Sequence, residues 1–423
     1  MKILAIETSC DDTCAAVLEN DRVLSNVISS QTDLHAKWGG VVPDIAKRAH
    51  TERIEAVIAE ALKRAKPSPS LDPPLRRAGR VGHKLSPEEI IEREVKNIDV
   101  IGVTQGPGLA IALGIGVNKA KELAKKYNKK LVAVNHIEGH IWANFLKNKK
   151  GKPERELELP AMALTVSGGH TKIILISNNQ FLSQNLEELN LPPSPFFHKT
   201  GVKTNPSQTL PLTGQGLKLN LPLTPSLTRR GIKQKLIYTV VGETLDDAAG
   251  EALDKAAKML GLGYPGGPII ERLAKDGEIN FLDLPHPLAD KKILDYSFSG
   301  LKTSFYYKIK DWPKEKIYQN LNNLAATFQN AVLETLLRKY KLAIGKYQPK
   351  MLLASGGVLA NLELRKRLRK LAKEVNLPIY MPVHKNLNTD NAAMVGRVTY
   401  NKALMGEYVE DVDALDRDPR LTI

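Results

Sequence analysis

The sequence predicts an α/β fold, because short apolar strands alternate along the chain with longer segments of helical periodicity. Strands are expected at the opening K-I-L-A-I-E and at residues 100–103, 131–134, 161–166 and 351–354. Between them, apolar residues recur at helical spacing, most clearly from Pro43 to Arg64. The 423 residues are enough for two or three domains, and a chain of this length needs no disulfides to build a core.

The remaining elements follow in chain order from the same signals. A helix is expected from about Ala112, after the glycine-rich T-Q-G-P-G-L, and a strand at residues 172–176. The alanine-rich residues 244–260 and the long periodic segment 321–344 predict two more helices. S-G-G-V-L-A-N then opens a basic helix, and residues 389–401 predict a final helix that starts at T-D-N.

Two segments lack this periodicity and are interpreted as insertions. Residues 67–97 and 178–236 are rich in Pro, Ser, Thr, Asn and Leu, and they share a similar short motif. Both are expected to be largely disordered low-complexity loops, with a short helix from Ser86 to Lys96 opened by Ser86-Pro87-Glu88-Glu89.

Composition predicts a cytoplasmic protein with an anionic partner. No secretory signal or membrane-spanning apolar run is visible, and Cys10 and Cys14 are expected to be free thiols. The net charge is +15, and two runs carry much of it. Each run alone is typical of a solvated helix face, but together they favour nucleic acid. The runs are Lys119, Lys121, Lys125, Lys126, Lys129 and Lys130, and then Arg365, Lys366, Arg367, Arg369, Lys370 and Lys373.

The motif H-I-E-G-H is the main candidate for chemistry. His136 and His140 are four residues apart, so both imidazoles lie on one helical face within reach of one metal ion. Such a pair alone occurs more often without a metal. Glu138 stands where it points away from that face, unlike the Glu of the peptidase motif H-E-x-x-H. An acid is expected as third ligand, and Asp390 is the best candidate, although its position alone favours an N-cap.

Three turns that follow strands suggest phosphate binding. They are E-T-S-C-D-D-T, V-S-G-G-H-T and S-G-G-V-L-A-N; turns of this kind let backbone amides approach an anion where no side chain intervenes. No Walker or dinucleotide-binding glycine motif is present. Asp254 has two open interpretations: a solvated acid paired with Lys258, or an acceptor for a ribose hydroxyl or a substrate amine.

These motifs together closely resemble the TsaD family, which transfers the threonylcarbamoyl group to tRNA. The resemblance covers nearly the whole chain apart from the two insertions. It rests on motifs that occur in one order, namely I-E-T-S-C-D-D-T, H-I-E-G-H, S-G-G-H-T, G-E-T-L-D-D-A-A-G-E-A-L-D-K, Y-P-G-G-P, S-F-S-G-L-K-T, G-G-V-L-A-N and T-D-N-A-A-M.

The resemblance implies a two-lobed actin-like, sugar-kinase-like ATPase fold with a cleft between the lobes. The implied reaction moves threonylcarbamoyl from threonylcarbamoyl-adenylate to N6 of adenosine 37 in tRNAs that read ANN codons, which forms t6A. Implied partners are homologues of TsaB and TsaE, with no membrane. The expected division is residues 1–135 for the N-terminal lobe, 136–390 for the C-terminal lobe with the metal and nucleotide site, and 391–423 for a C-terminal helix and tail.

The resemblance also implies the site residues. One divalent metal, with Fe2+ the usual ion and Zn2+ the alternative, would be held by His136, His140 and Asp390. Ser9 and Asp11 in the first loop would face the same cleft. Substrate-binding positions would be Thr165, Val166, Ser167, Gly168, Gly169, Asp254, Gly267 and Asn361.

Three alternatives compete with this interpretation. A small-molecule kinase or ATPase of the same fold gives no reason for a His-His-Asp site. A metallopeptidase needs a general base beside the metal, for which Glu138 is badly placed. A non-catalytic scaffold would be expected to lack H-I-E-G-H, which is intact. The second insertion leaves partner docking and tRNA access as the open questions.

Overall fold

The computed structural model describes residues 1–66, 85–181, 223–227, 233–289 and 293–423, which form two mixed β-sheets. In the first sheet the order is β3-β2-β1-β4-β5, with β1 to β3 antiparallel and with β4 and β5 parallel to β1. Its strands are β1 Lys2–Glu7, β2 Asp12–Glu19, β3 Arg22–Ser30, β4 Val100–Gly106 and β5 Lys130–Asn135.

The second sheet repeats this order. Its strands run β11-β10-β6-β7-β9-β8, with β6, β7 and β9 antiparallel and with β10 and β11 parallel to β6. They are β6 Ala161–Val166, β7 Thr171–Ser177, β8 Leu223–Leu227, β9 Lys233–Glu243, β10 Met351–Ser355 and β11 Ile379–Tyr380. Two sheets of the same topology confirm the predicted α/β class.

Helices cover both sheets. Those described here are α1 Thr32–Ala36, α2 Pro43–Arg64, α3 Pro87–Glu94, α4 Ala110–Lys126, α5 His136–Trp142, α6 Ala249–Met259, α7 Gly266–Ala274, α8 Ser299–Ile309, α9 Lys314–Gln319, α10 Leu321–Tyr347, α11 Leu362–Glu374 and α12 Ala392–Leu404. Among these helices, none combines the length and the apolar character needed to span a bilayer.

The strands are buried on both faces, and alternate residues enter different cores. In β1, Leu4 and Ile6 pack with α2 and α4, whereas Ile3 and Ala5 face the second sheet. In β6 and β10, one set of residues packs with α6, α8 and α10. The other set joins β1 residues and the helices α5 and α12 in a shared inner core. Helices α5 and α12 therefore form a layer between the two sheets.

Close packing holds α12 in this layer. A Cβ at Gly102 of β4 would lie 1.9 Å from Thr399 Oγ1, and one at Gly139 of α5 would lie 3.2 Å from Met394. Both glycines are therefore required for α12 to approach. The tail beyond α12 also returns to the first sheet, where Val409 N donates to Leu131 O at 2.8 Å. The lobe division predicted at residues 135 and 390 stays a prediction.

Most predicted elements are confirmed within a few residues. Helix α2 has the predicted bounds, and α3 opens with the predicted Ser86 signal as a capping box with Glu89. The final helix begins at Ala392 rather than residue 389, because Asn391 is its N-cap and accepts a hydrogen bond from Met394 N.

The predicted second insertion is wrong at its C-terminal end. Residues 223–227 form β8, and β9 begins at Lys233, so both strands lie within the segment predicted to be disordered up to residue 236. Their pairing with each other and with β7 supplies the backbone partners that composition does not reveal. Residues 67–84 and 182–222, which make up most of the two predicted insertions, lie outside the described residues.

The helix predicted from residue 244 begins five residues later, at Ala249. Thr244 N instead donates to Thr171 O at 3.0 Å, and Asp246 accepts hydrogen bonds from Phe298 N and Ser299 N. Asp247 forms ion pairs with Lys255 and Lys302. These contacts form a turn whose alternative hydrogen bonds outweigh its helical propensity.

We expect Gly102→Ala to destabilise the protein, because an added methyl group would collide with Thr399 in the inner layer. Overpacking of this kind costs about 1–3 kcal/mol, so the midpoint of thermal unfolding should fall. Gly345→Ala is the matched control: it lies within α10 with no atom within 4 Å of the new Cβ. That substitution should leave the midpoint unchanged or raise it. A Gly102→Ala midpoint at or above the wild-type value would contradict the packing of α12 on β4.

Candidate metal centre

The three predicted metal ligands are brought together by the starts of two inner-layer helices. Asn135 caps α5 by accepting hydrogen bonds from Ile137 N and Glu138 N, so the helix begins at His136, directly after β5. Asp390 directly precedes the N-cap of α12, so it is not itself the cap that its position alone suggested. The two helix starts therefore present His136, His140 and Asp390 to one point.

The distances fit a single cation. One ligand atom from each of the three side chains lies within 4.8 Å of the other two. His140 Nε2 is 3.2 Å and His136 Nε2 is 3.6 Å from Asp390 Oδ1. Both ring nitrogens of His140 are buried and make no well-formed hydrogen bond among the described residues. A divalent ion would satisfy them, and two imidazoles with one carboxylate suit Fe2+ or Zn2+.

A second carboxylate, that of Glu7, orients the His136 ring through the nitrogen that does not face Asp390. His136 Nδ1 is 3.1 Å from Glu7 Oε2 and 3.1 Å from Ser9 Oγ. Glu7 is fully buried at the end of β1, and Thr104 Oγ1 donates to it at 2.5 Å. A proton on Nδ1 directed at Glu7 leaves the Nε2 lone pair free for a metal, which is the usual arrangement behind a metal-binding histidine.

Burial and charge oppose each other across this site. Burial raises the pKa of Glu7, but the charge and hydrogen bond of His136 outweigh it and lower the pKa. Burial lowers the pKa of His136, but Asp390 and Glu7 raise it to about 9. His136 and His140 likewise hold the pKa of Asp390 well below its usual range despite burial. The two carboxylates thus stay ionised and favour a positive charge between them.

His170 stands beside the three ligands and was not singled out from the sequence. Its ring centroid is 6.1 Å from that of His136. Burial, with the charges of His136 and Lys172, lowers its pKa to about 3, so the imidazole stays neutral. The signal for it was its place in S-G-G-H-T, where only the turn was interpreted.

The S-G-G-H-T turn exposes backbone to the site. Ser167 N donates to His170 O at 2.8 Å, and His170 N donates to Ser167 Oγ at 3.1 Å, which closes the turn. Gly168 and Gly169 at its tip are exposed, with nothing within 4 Å of an added Cβ. Gly250 packs against the turn from α6, since its Cβ would lie 2.7 Å from Ser167 O. The tip is therefore fixed and open to a ligand.

Two hydroxyls at the ends of neighbouring strands are buried and without a hydrogen-bond partner among the described residues. They belong to Thr165 of β6 and Ser355 of β10, which are paired across the sheet. By alternation both lie on the inner face that α5 covers. Val166 points the other way, into the core of the second lobe. Ser355 was missed because the S-G-G motif was interpreted only for its glycines.

Asp254, Gly267 and Asn361 hold loops in place. Asp254 Oδ1 accepts from Gly266 N at 2.7 Å and Gly267 N at 3.1 Å, which caps α7. No Asp254–Lys258 ion pair exists in the described part of the chain. Asn361 caps α11 through Leu364 N and donates to Gln329 Oε1 at 2.7 Å. Their direct contact with substrate stays a prediction.

The first loop faces α6 and α7 across the cleft. Burial raises the pKa of Asp11, and burial, Asp390 and Asp11 raise the pKa of Asp12 to about 7. Burial raises the pKa of Tyr264, and the charges of Asp11 and Asp254 add to that increase. The charges of both acids act on Tyr264, but the placement of Asp11 and Asp254 in one substrate site stays a prediction.

The first basic run is largely engaged within the protein, and the second is engaged only in part, because Arg369, Lys370 and Lys373 are exposed. Lys121 Nζ donates to Asp413 O and Leu415 O, and Lys119 pairs with Glu55, so the first run holds the C-terminal tail and α2. In the second run, Arg365 donates to Pro382 O and Arg367 pairs with Glu363 at 2.9 Å. Neither run is a continuous surface of unpaired cations.

Comparison with known proteins gives one consistent result. The model of the family described as "TsaD: tRNA N6-adenosine threonylcarbamoyltransferase" matches residues 22–72, 89–191 and 231–397. A tRNA N6-adenosine threonylcarbamoyltransferase of Kosmotoga olearia is 38% identical over 96% of this chain and 95% of its own. One of Thermosipho africanus is 35% identical over the full length of both chains.

Solved structures resemble the fold. The crystal structure of "T.kodakarensis HypF" matches with a TM-score of 0.50 and 16% identity over 96% of this chain and 48% of that one. A ROK hexokinase from Thermus thermophilus matches with a TM-score of 0.39 and 13% identity, over 95% of this chain and 99% of the other. The match to the HypF structure supports the predicted α/β, actin-like fold with two mixed sheets.

We expect Glu7→Gln to weaken metal binding about 10- to 100-fold, because the amide removes the charge that orients His136. The measurement is a titration of metal-depleted protein with Fe2+ or Zn2+. The control is Glu138→Gln, which changes a buried acid of the same helix whose Oε2 lies 3.8 Å from Lys402 Nζ. Equal affinities for the two variants would refute the assigned role of Glu7.

Proposed function

The chain belongs to the TsaD family of tRNA N6-adenosine threonylcarbamoyltransferases, and we propose that it uses one divalent metal to transfer threonylcarbamoyl from threonylcarbamoyl-adenylate to N6 of adenosine 37. The tRNAs would be those that read ANN codons. The observation that carries the proposal is the convergence of the ligand atoms of His136, His140 and Asp390 within 4.8 Å of one another. A bound divalent ion would act there as a Lewis acid and template for the acyl group.

The residues around the three ligands orient them for a metal and exclude water from the site. Glu7 and Ser9 fix the ring of His136, and packing of α5 between the sheets leaves His140 only 1% exposed. Ionised Glu7 and Asp390 supply the negative charge that a divalent ion requires. Orientation of this kind lowers the reorganisation needed during the reaction.

The turn and the strand ends would hold the adenylate. Gly168 and Gly169 leave room for an anionic or polar group to approach the backbone. The buried hydroxyls of Thr165 and Ser355, at two adjacent strand ends, have no hydrogen-bond partner among the described residues and could bind it. One carboxylate oxygen of Asp254 accepts hydrogen bonds from the backbone amides of Gly266 and Gly267, which fixes the loop on the opposite side of the cleft.

The reaction would form a bond between N6 of adenosine and the carbamoyl carbon. The bond from that carbon to the phosphate oxygen breaks, AMP leaves with the electron pair, and the amine gives up one proton to solvent. His170 is too weak a base to hold that proton, because its pKa lies near 3. Its neutral ring can instead donate or accept a hydrogen bond beside the acyl group. No general base is assigned.

The two alternative activities lack support in the site. A peptidase would need an acid beside the metal-bound water, but Glu138 lies 3.8 Å from Lys402 and belongs to the inner layer. A small-molecule kinase of this fold would leave the His-His-Asp cluster without a role. Homologues of TsaB and TsaE are the proposed partners, and a tRNA substrate favours the cytoplasm.

We expect His136→Ala and Asp390→Ala each to abolish transfer while the protein stays folded, because each removes one of three ligands. The assay incubates the protein and its partner homologues with labelled threonine, bicarbonate, ATP, the adenylate-forming enzyme and tRNA. Glu138→Gln should retain activity. Chelation should remove activity and added metal should restore it.

Two outcomes would overturn the proposal. One is wild-type protein that places no label on adenosine 37 where a known homologue does so. The other is near-full activity of either ligand variant, which would exclude the assigned metal site.

A further inference from the structure

Helix α8 exposes two tyrosine rings that lie outside the face by which the helix packs on the core. Leu301 and Phe305 are 0% exposed and Ile309 is 2% exposed, so these three residues form the buried face. Tyr306 and Tyr307 lie on the remaining faces and are 47% and 62% exposed. Tyr318, on the neighbouring α9, is also 62% exposed. Three large rings in water within thirteen residues suggest a binding surface rather than isolated exposure.

Lysines accompany these rings. Residues 299–320 contain five lysines against Asp311 and Glu315. Lys310 Nζ lies 5.0 Å from the centroid of the Tyr307 ring, so a cation adjoins an exposed aromatic face. Lys308 and Lys314 have no ion-pair partner among the described residues. We call Tyr306, Tyr307, Lys308, Lys310, Lys314 and Tyr318 the tyrosine–lysine surface.

The surface is built on a fixed support. Trp312, in the turn between α8 and α9, packs edge-on against Phe281 with the ring centroids 6.2 Å apart, and it contacts the core of the second lobe. Lys316 Nζ covers the other side of that ring at 3.9 Å from its centroid. Rigid helices that present tyrosines, with few rotatable bonds, lose little entropy when the rings bind a partner.

Hydrogen bonds connect the start of helix α8 with the strand that follows His170. Its first residue, Ser299, hydrogen-bonds Asp246 through both its backbone N and its Oγ. The same turn is tied to β7, since Thr244 N donates to Thr171 O, and Thr171 follows His170 in the site. Tyr306 and Tyr307 come seven and eight residues after Ser299, which is about 11 Å along a helix. A few nucleotides of single-stranded RNA can cover this distance.

The composition favours RNA over a protein partner. Tyrosine is common in both kinds of interface, but lysine is depleted in protein–protein interfaces and is needed to contact phosphates. The basic runs at residues 119–130 and 365–373 are the other cationic candidates. The first is mostly engaged in internal contacts, whereas Arg369, Lys370 and Lys373 of the second are exposed, on a helix that carries no aromatic residue. The tyrosine–lysine surface combines exposed lysines with exposed rings.

We propose that the tyrosine–lysine surface binds unpaired nucleotides next to the reacting adenosine in the anticodon loop of the tRNA. The tyrosines would stack on bases, which needs no particular sequence, and the lysines would contact the phosphates that link them. This inference rests on the proposed function for its substrate. It adds a surface that holds the loop while one base enters the cleft.

The first test measures affinity for an anticodon stem-loop RNA and for a fully paired duplex of equal length. The full chain is used with its partner proteins. We expect Tyr306→Ala/Tyr307→Ala to weaken stem-loop binding about tenfold or more, since stacking on an aromatic side chain is worth about fivefold or more for each base and two rings are removed. Duplex binding should not change. In the transfer assay, KM for tRNA should rise by a similar factor with kcat retained.

Two controls separate stacking from folding. Tyr306→Phe/Tyr307→Phe keeps the rings and should bind as the wild type does. Leu342→Ala removes a side chain of similar exposure, 43%, from α10 and should have no effect. Unchanged stem-loop affinity in the double alanine variant overturns the inference. The inference is also overturned if the double alanine variant keeps its RNA affinity but no longer binds one of the partner proteins. That result would assign the surface to the partner protein.

The second test measures the salt dependence of stem-loop binding. Each phosphate contact to a single strand contributes about 0.7 to the slope of log affinity against log salt. Lys308→Gln/Lys310→Gln should therefore reduce the slope by about 1.4. Lys149→Gln/Lys150→Gln, at two other exposed lysines, should leave it unchanged. Equal slopes for the two variants would exclude phosphate contacts at α8.

The binding tests are independent of transfer. If the wild type binds the stem-loop through these tyrosines but transfers no label, the proposed function fails and the RNA surface remains. If transfer occurs with unchanged KM in the alanine variant, the function stands and the inference fails.

Discussion

The burial of α5 and α12 between two sheets is the constraint on which the site depends. A layer enclosed on both sides is mostly apolar, as Ile137, Ile141, Val395 and Val398 are. The polar groups of the site enter it at the rim, where helices begin and strands end. His136 and Asp390 stand at two helix starts, and β1, β6 and β10 end at Glu7, Val166 and Ser355. This is the crevice at the carboxyl ends of strands that α/β folds commonly use for ligands.

The rim concentrates acids, and this determines what it can bind. Glu7, Asp11, Asp12 and Asp390 are close enough to influence one another's pKa values. Buried carboxylates are unfavourable unless a cation or hydrogen bonds offset them. In the described site His136 supplies that positive charge, and a divalent ion would supply more of it. The metal would lie between an anionic adenylate and these acids. The adenylate would also contact the backbone of the turn at Gly168 and Gly169.

The sequence pattern predicted the features that depend on residues close together in the chain. The bounds of α2, the Ser86 capping box and the shared face of His136 and His140 follow from residues within a few positions of each other. Long-range contacts decided the rest. Asp254 binds the start of α7, the turn before α6 is held by Thr171 and Ser299, and β8 depends on pairing with β9. The proximity of Asp390 to H-I-E-G-H came from a family resemblance, since spacing cannot join residues 250 positions apart. Exposure of Tyr306 and Tyr307 required knowing which face of α8 is buried.

The return of α12 to the first sheet has a consequence for biosynthesis. Strands β1, β2 and β4 emerge from the ribosome first, yet their inner face is covered by residues 392–404, close to the end of the chain. Until those residues emerge, Ile3, Ala5 and Leu18 lack part of their packing. The first lobe therefore cannot complete its core during most of translation, although the second lobe can begin to assemble. We expect the nascent chain to carry an uncovered apolar sheet for that time, and exposed surface of this kind promotes aggregation of partly folded chains.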